Sequence, residues 1–142
     1  MAITYENVIY DRVVDSLHNL IANEFSIPIY FDEHEGNQSF LITPSDDTLI
    51  TLISKGQSRE YGLSISYQLE SGGNYTKNSV KQVTEIAERM KRLIYNNTAY
   101  NPSSSYKWHD GRIESITYSR NEDDTTLLGV NLQFNCAVTE TL

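Results

Sequence analysis

The residues best suited to chemistry form one acidic segment, Asp32-Glu33-His34-Glu35. Carboxylates and imidazole are ligands that divalent metal ions accept. On an extended chain, Asp32 and His34 point to one side and Glu33 and Glu35 to the other, so the four side chains do not converge easily. The spacing fits neither a calcium-binding loop nor a zinc site. We therefore predict a solvated acidic loop, with a weak ion site as the alternative.

Other catalytic patterns are weak. Cys136 lies on the apolar side of an alternating pattern, where a buried structural thiol is expected rather than a nucleophile. Gly72-Gly73 lacks the Lys-Ser or Lys-Thr pair that a phosphate-binding loop requires, and the sequence contains no Gly-x-Ser-x-Gly turn. We expect no enzyme activity, no cofactor, no catalytic residue and no metal ligand. An enzyme that uses the carboxylates of residues 32–35 is the minor alternative.

The composition excludes some classes of protein and of binding partner. The 142 residues carry a formal net charge of −8, which argues against specific or non-specific nucleic-acid binding because neutralising phosphates takes a concentrated basic surface. The sequence shows no signal-peptide pattern and no apolar stretch long enough to span a membrane, and its single cysteine fits a reducing compartment. We predict one soluble domain over residues 1–142, made in the cytoplasm. The ten tyrosines suit either strands or surfaces that become buried on binding.

Two amphipathic helices are predicted from apolar residues that recur at spacings of three and four. The first covers residues 5–25 and ends before Pro28, and the second runs from residue 77 or 78 to residue 95. Arg89, Lys91 and Arg92 lie near the C-terminal end of the second helix, where the helix dipole favours basic side chains. A binding patch is the alternative interpretation of these three residues.

The remaining patterns predict β-strands, and the clearest alternation of apolar and polar residues covers residues 61–69. The segment from Pro44 to Asp47 should stop one strand before the next begins. Strands are expected at residues 29–31, 40–43, 48–54, 61–69, 106–108 together with 113–119, and 127–139. Because most links are short, the fold class should be α+β: a mainly antiparallel β-sheet with both helices packed on one face.

The order of these elements is itself informative. An amphipathic helix leads into a strand and an acidic loop, Pro28-Ile29-Tyr30-Phe31-Asp32-Glu33. A tyrosine-rich strand, a glycine-rich turn and a second helix follow. The last element is the strand of alternating apolar and polar residues from Val130 to Val138. This order resembles that of small neck and tail-completion proteins of tailed bacteriophages, most closely the tail terminator family. The resemblance covers nearly the whole chain and contains no diagnostic motif.

The resemblance implies a virion structural protein of the tail or neck, made in the host cytoplasm. Such a protein forms a homo-oligomeric ring, usually a hexamer, on the last ring of tail-tube protein and offers a surface to the head-side connector or stopper protein. The resemblance implies no cofactor and no reaction, and DNA passes through the ring. The alternatives are another head–tail connector or neck protein, and a non-viral accessory binding module of the contractile-injection or immunity type.

Candidate interface residues are acidic and aromatic side chains of the predicted loops, together with Trp108, which is either an interface anchor or a residue at the core edge. They are Asp32, Glu33, Glu35, Tyr75, Tyr100, Tyr106, Trp108, Glu122, Asp123 and Asp124. Loops would contact tube and connector, while exposed strand edges would join neighbouring subunits. A ring lumen lined by the acidic residues of the segment 32–35 would repel DNA phosphates and let the genome slide.

Overall fold

The chain folds into a five-stranded sheet with two helices on one face, which confirms the predicted α+β class. The computed structural model describes residues 2–70, 77–120 and 127–141. Four of the candidate interface residues lie outside the described residues: Tyr75, Glu122, Asp123 and Asp124. In chain order the elements are α1 (Asp15–Glu24), β1 (Ile29–Tyr30), β2 (Gln38–Ile53), β3 (Gly56–Glu70), α2 (Lys77–Tyr95), β4 (His109–Arg120) and β5 (Leu127–Thr141).

The sheet has the strand order β1-β2-β3-β5-β4. Neighbouring strands are antiparallel except for β1, which runs parallel to β2 and pairs with only two of its residues. The register sets Phe40 of β2 opposite Tyr67 of β3, and Tyr67 opposite Val130 of β5. Because side chains alternate along each strand, this register collects the apolar side chains on one face of the sheet.

Both helices pack on this apolar face and complete one contiguous core. From the first helix, Val13, Leu17 and Ile21 are buried, and from α2 Met90 and Ile94 are buried. The spacings of three and four in the sequence therefore mark the correct helical stripes. The opposite face of the sheet presents small polar side chains, such as Ser64, which donates a hydrogen bond to Asn131 at 2.6 Å.

The first helix begins later than the sequence predicts. Residues 2–7 are exposed and outside any regular element, and residues Ile9–Val14 form a π-helical segment that continues into α1. A π-helix has a wider turn than an α-helix, so residues five apart lie close to one side of the helix. Val8 and Val13 are five apart, and both are buried. The need to bury both valines explains the wider turn at this position.

β2 is a single strand of 16 residues, so the prediction of two strands separated at Pro44 is wrong. β1 pairs with β2 only at Phe40 and Leu41, and Pro44 therefore lies on an edge. Proline is tolerated on an edge because its missing N–H removes no ladder hydrogen bond, and the register shift that follows Pro44 absorbs its ring. β3 likewise begins at Gly56, directly after the turn at residues 54–55.

Trp108 belongs to the core, which corrects its assignment as an interface anchor. Its side chain is fully buried, with ring centroids 4.9 Å from Tyr100 and 5.3 Å from Phe134. The indole Nε1 donates a hydrogen bond to the Asn97 carbonyl at 3.0 Å. A Cβ at Gly111 would stand 2.6 Å from Nε1, so glycine is required at residue 111 by the close approach of the indole. β4 accordingly starts after Trp108, at His109.

Replacing Trp108 tests this packing. Trp108→Ala should lower the free energy of unfolding by about 3–5 kcal/mol, because the substitution leaves a cavity and removes the hydrogen bond to Asn97. Tyr5→Ala is the matched control, since Tyr5 is 81% exposed, and should change the value by less than about 0.5 kcal/mol. Urea unfolding followed by circular dichroism measures both values, and equal midpoints for the two variants would contradict the assignment.

Candidate assembly surfaces

One half of β2 projects beyond the core. Residues 43–53, here called the β2 arm, are all exposed, whereas the first five residues of β2 are buried or half-buried. On one side the β2 arm pairs with β3, which pairs in turn with β5. On the other side no strand among the described residues pairs with the β2 arm. The β2 arm is therefore an open sheet edge.

The outer part of the β2 arm is apolar on its surface. Four side chains are between 43% and 71% exposed: Leu49, Ile50, Leu52 and Ile53. A register shift between Leu49 and Thr51 places Ile50 in a bulge. Large apolar side chains on an open edge are unfavourable in water and usually mark a surface that another chain covers.

The inner part of the β2 arm carries features that discourage pairing. Pro44, Asp46 and Asp47 lie there, and charged residues, proline and bulges are common means by which edge strands avoid wrong partners. Asp47 also accepts a hydrogen bond from Arg59 Nε at 2.6 Å. The proline and the charged residues end at Asp47, and one bulge, at Ile50, remains beyond it. Residues 48–53 are therefore the part of the β2 arm best suited to pairing.

The sheet has a second open edge on β4. Residues 98–100 cover its beginning, since the Gly111 N–H donates to the Thr98 carbonyl at 2.8 Å and the Tyr100 N–H donates to the Trp108 carbonyl at 2.9 Å. Beyond Gly111, the outer side of β4 pairs with no strand in the part of the chain that the structure describes. We call residues 112–120 the β4 edge. The two open edges thus lie on opposite sides of the same sheet.

Two grooves flank the β4 edge on its helix side. One, of about 580 Å³, runs between α2 and the start of β4 and is lined by Lys91, Arg92 and Tyr95 among others. The other, of about 260 Å³, is mainly apolar and is lined by Val80 and Tyr118, each 50% exposed. Both grooves are open and shallow, which suits contact with a protein surface more than enclosure of a small molecule.

The predicted basic cluster on α2 divides between two sides of the helix. Arg89 stacks over the Phe25 ring, 4.4 Å from its centroid, and donates hydrogen bonds to the carbonyl and carboxylate of Glu24 at 2.9 and 3.0 Å. Lys91 and Arg92 line the larger groove instead, where Lys91 pairs with Glu88. Arg89 is therefore a link between the helices, and only the other two belong to the groove.

Charge is distributed unequally between the two sides of the fold. Residues 29–53, which form β1, the acidic loop and β2, contain five carboxylates and no Lys or Arg. Residues 77–120, which form α2 and β4, contain eight basic residues and four carboxylates. The segment 121–126 adds three carboxylates and lies outside the described residues. The β2 side is thus strongly acidic and the described β4 side is basic.

The predicted acidic segment is an exposed loop. Asp32, Glu33 and Glu35 are exposed in residues 31–37, which form no regular element. His34 instead turns to the polar face of the sheet, where its Nδ1 lies 2.7 Å from Ser39 Oγ and its Nε2 lies 3.0 Å from Ser66 Oγ. His34 therefore pins the loop to the sheet, while the three carboxylates face solvent.

The two remaining candidate tyrosines lie beside Trp108. Tyr100 is half-buried against the indole, so little of its ring faces outward. Tyr106 is 36% exposed, and its hydroxyl lies 2.7 Å from His109 Nδ1 and accepts a hydrogen bond from the Thr139 N–H at 3.1 Å. The candidate residues that the structure describes therefore do not come together into one surface.

Groups that could hold a metal ion do not converge in the described residues. No cluster of three or more His, Cys, Asp or Glu residues suited to a metal ion occurs there. Cys136 is fully buried, as expected of a structural thiol, and burial raises the pKa of its thiol far above the ordinary value. Across the same residues, no helix is both long and apolar enough to cross a membrane.

Comparisons with known proteins do not assign a family. The chain matches no protein-family model, and a search among curated proteins finds no match. The function must therefore be argued from the surfaces described above.

The sequence contains a signal for the β2 arm that the prediction of interface residues did not use. Residues 49–53, Leu-Ile-Thr-Leu-Ile, are apolar at four of five positions and do not alternate. A strand of this pattern is normally buried on both faces. At the end of a hairpin that extends past both helices, the same pattern predicts that a second chain covers the strand.

Protonation of His34 should destabilise the fold. Burial lowers the pKa of His34 below its ordinary value of 6.5, so the folded state binds fewer protons than the unfolded state in the pH range just below 6.5. The free energy of unfolding should therefore fall as the pH drops through the window between 6.5 and the lowered pKa. Urea unfolding at about pH 7.5 and about pH 5.5 measures this difference.

His34→Gln provides the matched variant, because glutamine keeps a hydrogen-bond donor and acceptor but does not titrate. The fall in stability between the two pH values should become smaller in His34→Gln. An equal fall in both proteins would show that other groups cause it. Hydrogen bonds from Arg12 and Arg112 lower the pKa values of Glu6 and Glu60 below their ordinary value of 4.5. Protonation of these two carboxylates therefore affects the stability only below that pH.

Proposed function

We propose that this chain is a virion structural protein of a tailed bacteriophage, a tail terminator. In this proposal its copies form a ring, usually hexameric, that caps the tail tube and joins the tube to the head-side connector or stopper protein. The order of the elements and the α+β fold are consistent with the family resemblance described above. The function requires no cofactor and no reaction, because the protein works through its surfaces.

The β2 arm is the observation that carries the proposal. Its outer residues Leu49, Ile50, Leu52 and Ile53 remain exposed although they are apolar. Burying them on association contributes on the order of 1 kcal/mol for each side chain, since apolar burial yields about 25 cal/mol per Å². The open backbone of residues 48–53 adds directional hydrogen bonds when another strand pairs with it. These properties favour a subunit whose stable state is an assembly.

The arrangement of potential reactive groups supports a structural role over an enzymatic one. His34 bonds to two serine hydroxyls, but neither Ser39 nor Ser66 lines one of the grooves beside α2 and β4. Cys136 is enclosed in the core. A nucleophile needs access to its substrate and a base within reach. Ser66 has His34 within reach, but the pair lies on the polar face of the sheet, outside these grooves.

Removing apolar surface from the β2 arm tests the proposal. The wild-type chain should form a ring-sized particle, about 97 kDa for six copies of 16.2 kDa each. The double variant Ile50→Ser/Leu52→Ser should remain folded and monomeric, because both side chains are more than half exposed in the single subunit and contribute little to its core. Mass photometry over a range of protein concentrations measures particle size, and thermal unfolding checks the fold.

Tyr10→Ser is the control variant, since Tyr10 is also 50% exposed but lies on the first helix. This variant should assemble like the wild type. A wild-type chain that stays monomeric at every concentration, or a double variant that still forms rings, would contradict the proposal. The position in the virion is tested by electron microscopy of particles labelled with antibody against this chain, and label away from the head–tail junction would exclude a terminator.

A further inference from the structure

We infer that residues 48–53 of the β2 arm pair with the β4 edge of a second copy of this chain, so that the two sheets become continuous. This inference rests on the proposed function and names the two surfaces that meet in the ring. The occupant of the β4 edge is then another subunit of the same chain. Three features of the described residues favour this pairing.

Both edges are open, and their lengths allow them to pair. Both are open, both belong to the same sheet, and they lie on its opposite sides. Residues 48–53 form a strand of typical length, and the nine residues of the β4 edge are long enough to accept it. Pairing would give the backbone groups of both edges strand partners in place of water.

The two edges also match in charge. The acidic β2 side of one copy would approach the β4 side of the next, where Lys91, Arg92 and Arg112 outnumber the one carboxylate, Glu88, in the lining of the larger groove. Two β2 sides brought together would instead repel each other, because residues 29–53 of each contain five carboxylates and no Lys or Arg. Charge therefore favours contact between unlike edges.

Apolar surface is available on both partners. On its helix side the β4 edge carries Ile116 and Tyr118, which lie opposite Leu132 and Val130 of β5. Tyr118 also lines the apolar groove beside α2. Leu49 and Leu52 of the β2 arm lie opposite Arg59 and Gln57 and so point to the helix side of the sheet. They would extend this surface across the new strand pair, as neighbouring strands within one sheet do.

The two paired surfaces are unlike, so the contact is heterologous. It repeats from one copy to the next rather than ending at a dimer, and a ring results when the repeat closes on itself.

Cross-linking between two single-cysteine variants tests the pairing. Thr51→Cys places a thiol on the β2 arm, and Thr117→Cys places one on the β4 edge. Both residues are exposed. Both also point to the face away from the helices, since Thr51 lies opposite Ser58 and Thr117 lies opposite Asn131. The native Cys136 is buried, so the wild-type chain is the unreactive control. The variants are mixed, allowed to assemble and treated with a short bis-maleimide.

The mixture should yield a cross-linked dimer at least about tenfold more abundant than either variant alone, because a heterologous contact never joins two identical surfaces. A chain that carries both cysteines should yield a ladder that ends at the number of subunits in the ring. Self-cross-linking of Thr51→Cys alone or of Thr117→Cys alone to the same extent would overturn the inference.

The failures of the two proposals are distinguishable. If mass photometry shows a ring but the mixture gives no cross-link above the single variants, the inference is wrong and the proposed function stands. If neither the wild type nor the mixture forms any oligomer, both are wrong. If the mixture cross-links and the Ile50→Ser/Leu52→Ser change in the Thr51→Cys chain abolishes the product, the inference is supported.

Discussion

A sheet that does not close leaves backbone N–H and C=O groups without strand partners along two edges, and this constraint governs the behaviour of the protein. β1 covers only two residues of β2, and residues 98–100 cover only the beginning of β4. The two helices bury one face of the sheet and leave the backbone of the β2 arm and of the β4 edge open. Stability of the subunit therefore comes from the layer between helices and sheet, whereas the capacity to associate comes from the edges.

Much of the fold was predictable from the sequence because side-chain direction is a local property of helices and strands. The alternation in β3 and β5 and the spacing in α2 each identified the buried side before any tertiary contact was known. The wrong predictions concern element boundaries that depend on where a segment lies in the folded sheet. Pro44 continues a strand because it lies on an edge, and the π-helical start of the first helix depends on burying Val8 and Val13 against the sheet.

The candidate site was less predictable, because exposure is a property of the whole fold. Tryptophan is a common interface anchor, yet Trp108 is buried because Gly111 leaves room for its indole. Leucine is a common core residue, yet Leu52 is 71% exposed because the hairpin extends past the helices. The unequal charge is present in the sequence, but its relevance to assembly is clear only when the sheet order places β2 and β4 at opposite edges.

The buried environment of Trp108 has a practical consequence. The chain has one tryptophan, and its indole is already fully buried in the single subunit, enclosed by Phe134, Tyr100 and the Asn97 carbonyl. Its fluorescence therefore reports whether each subunit is folded and responds little to whether subunits have joined. An emission spectrum that stays constant while light scattering rises would mark assembly from subunits that are already folded, so the two equilibria can be followed separately in one cuvette.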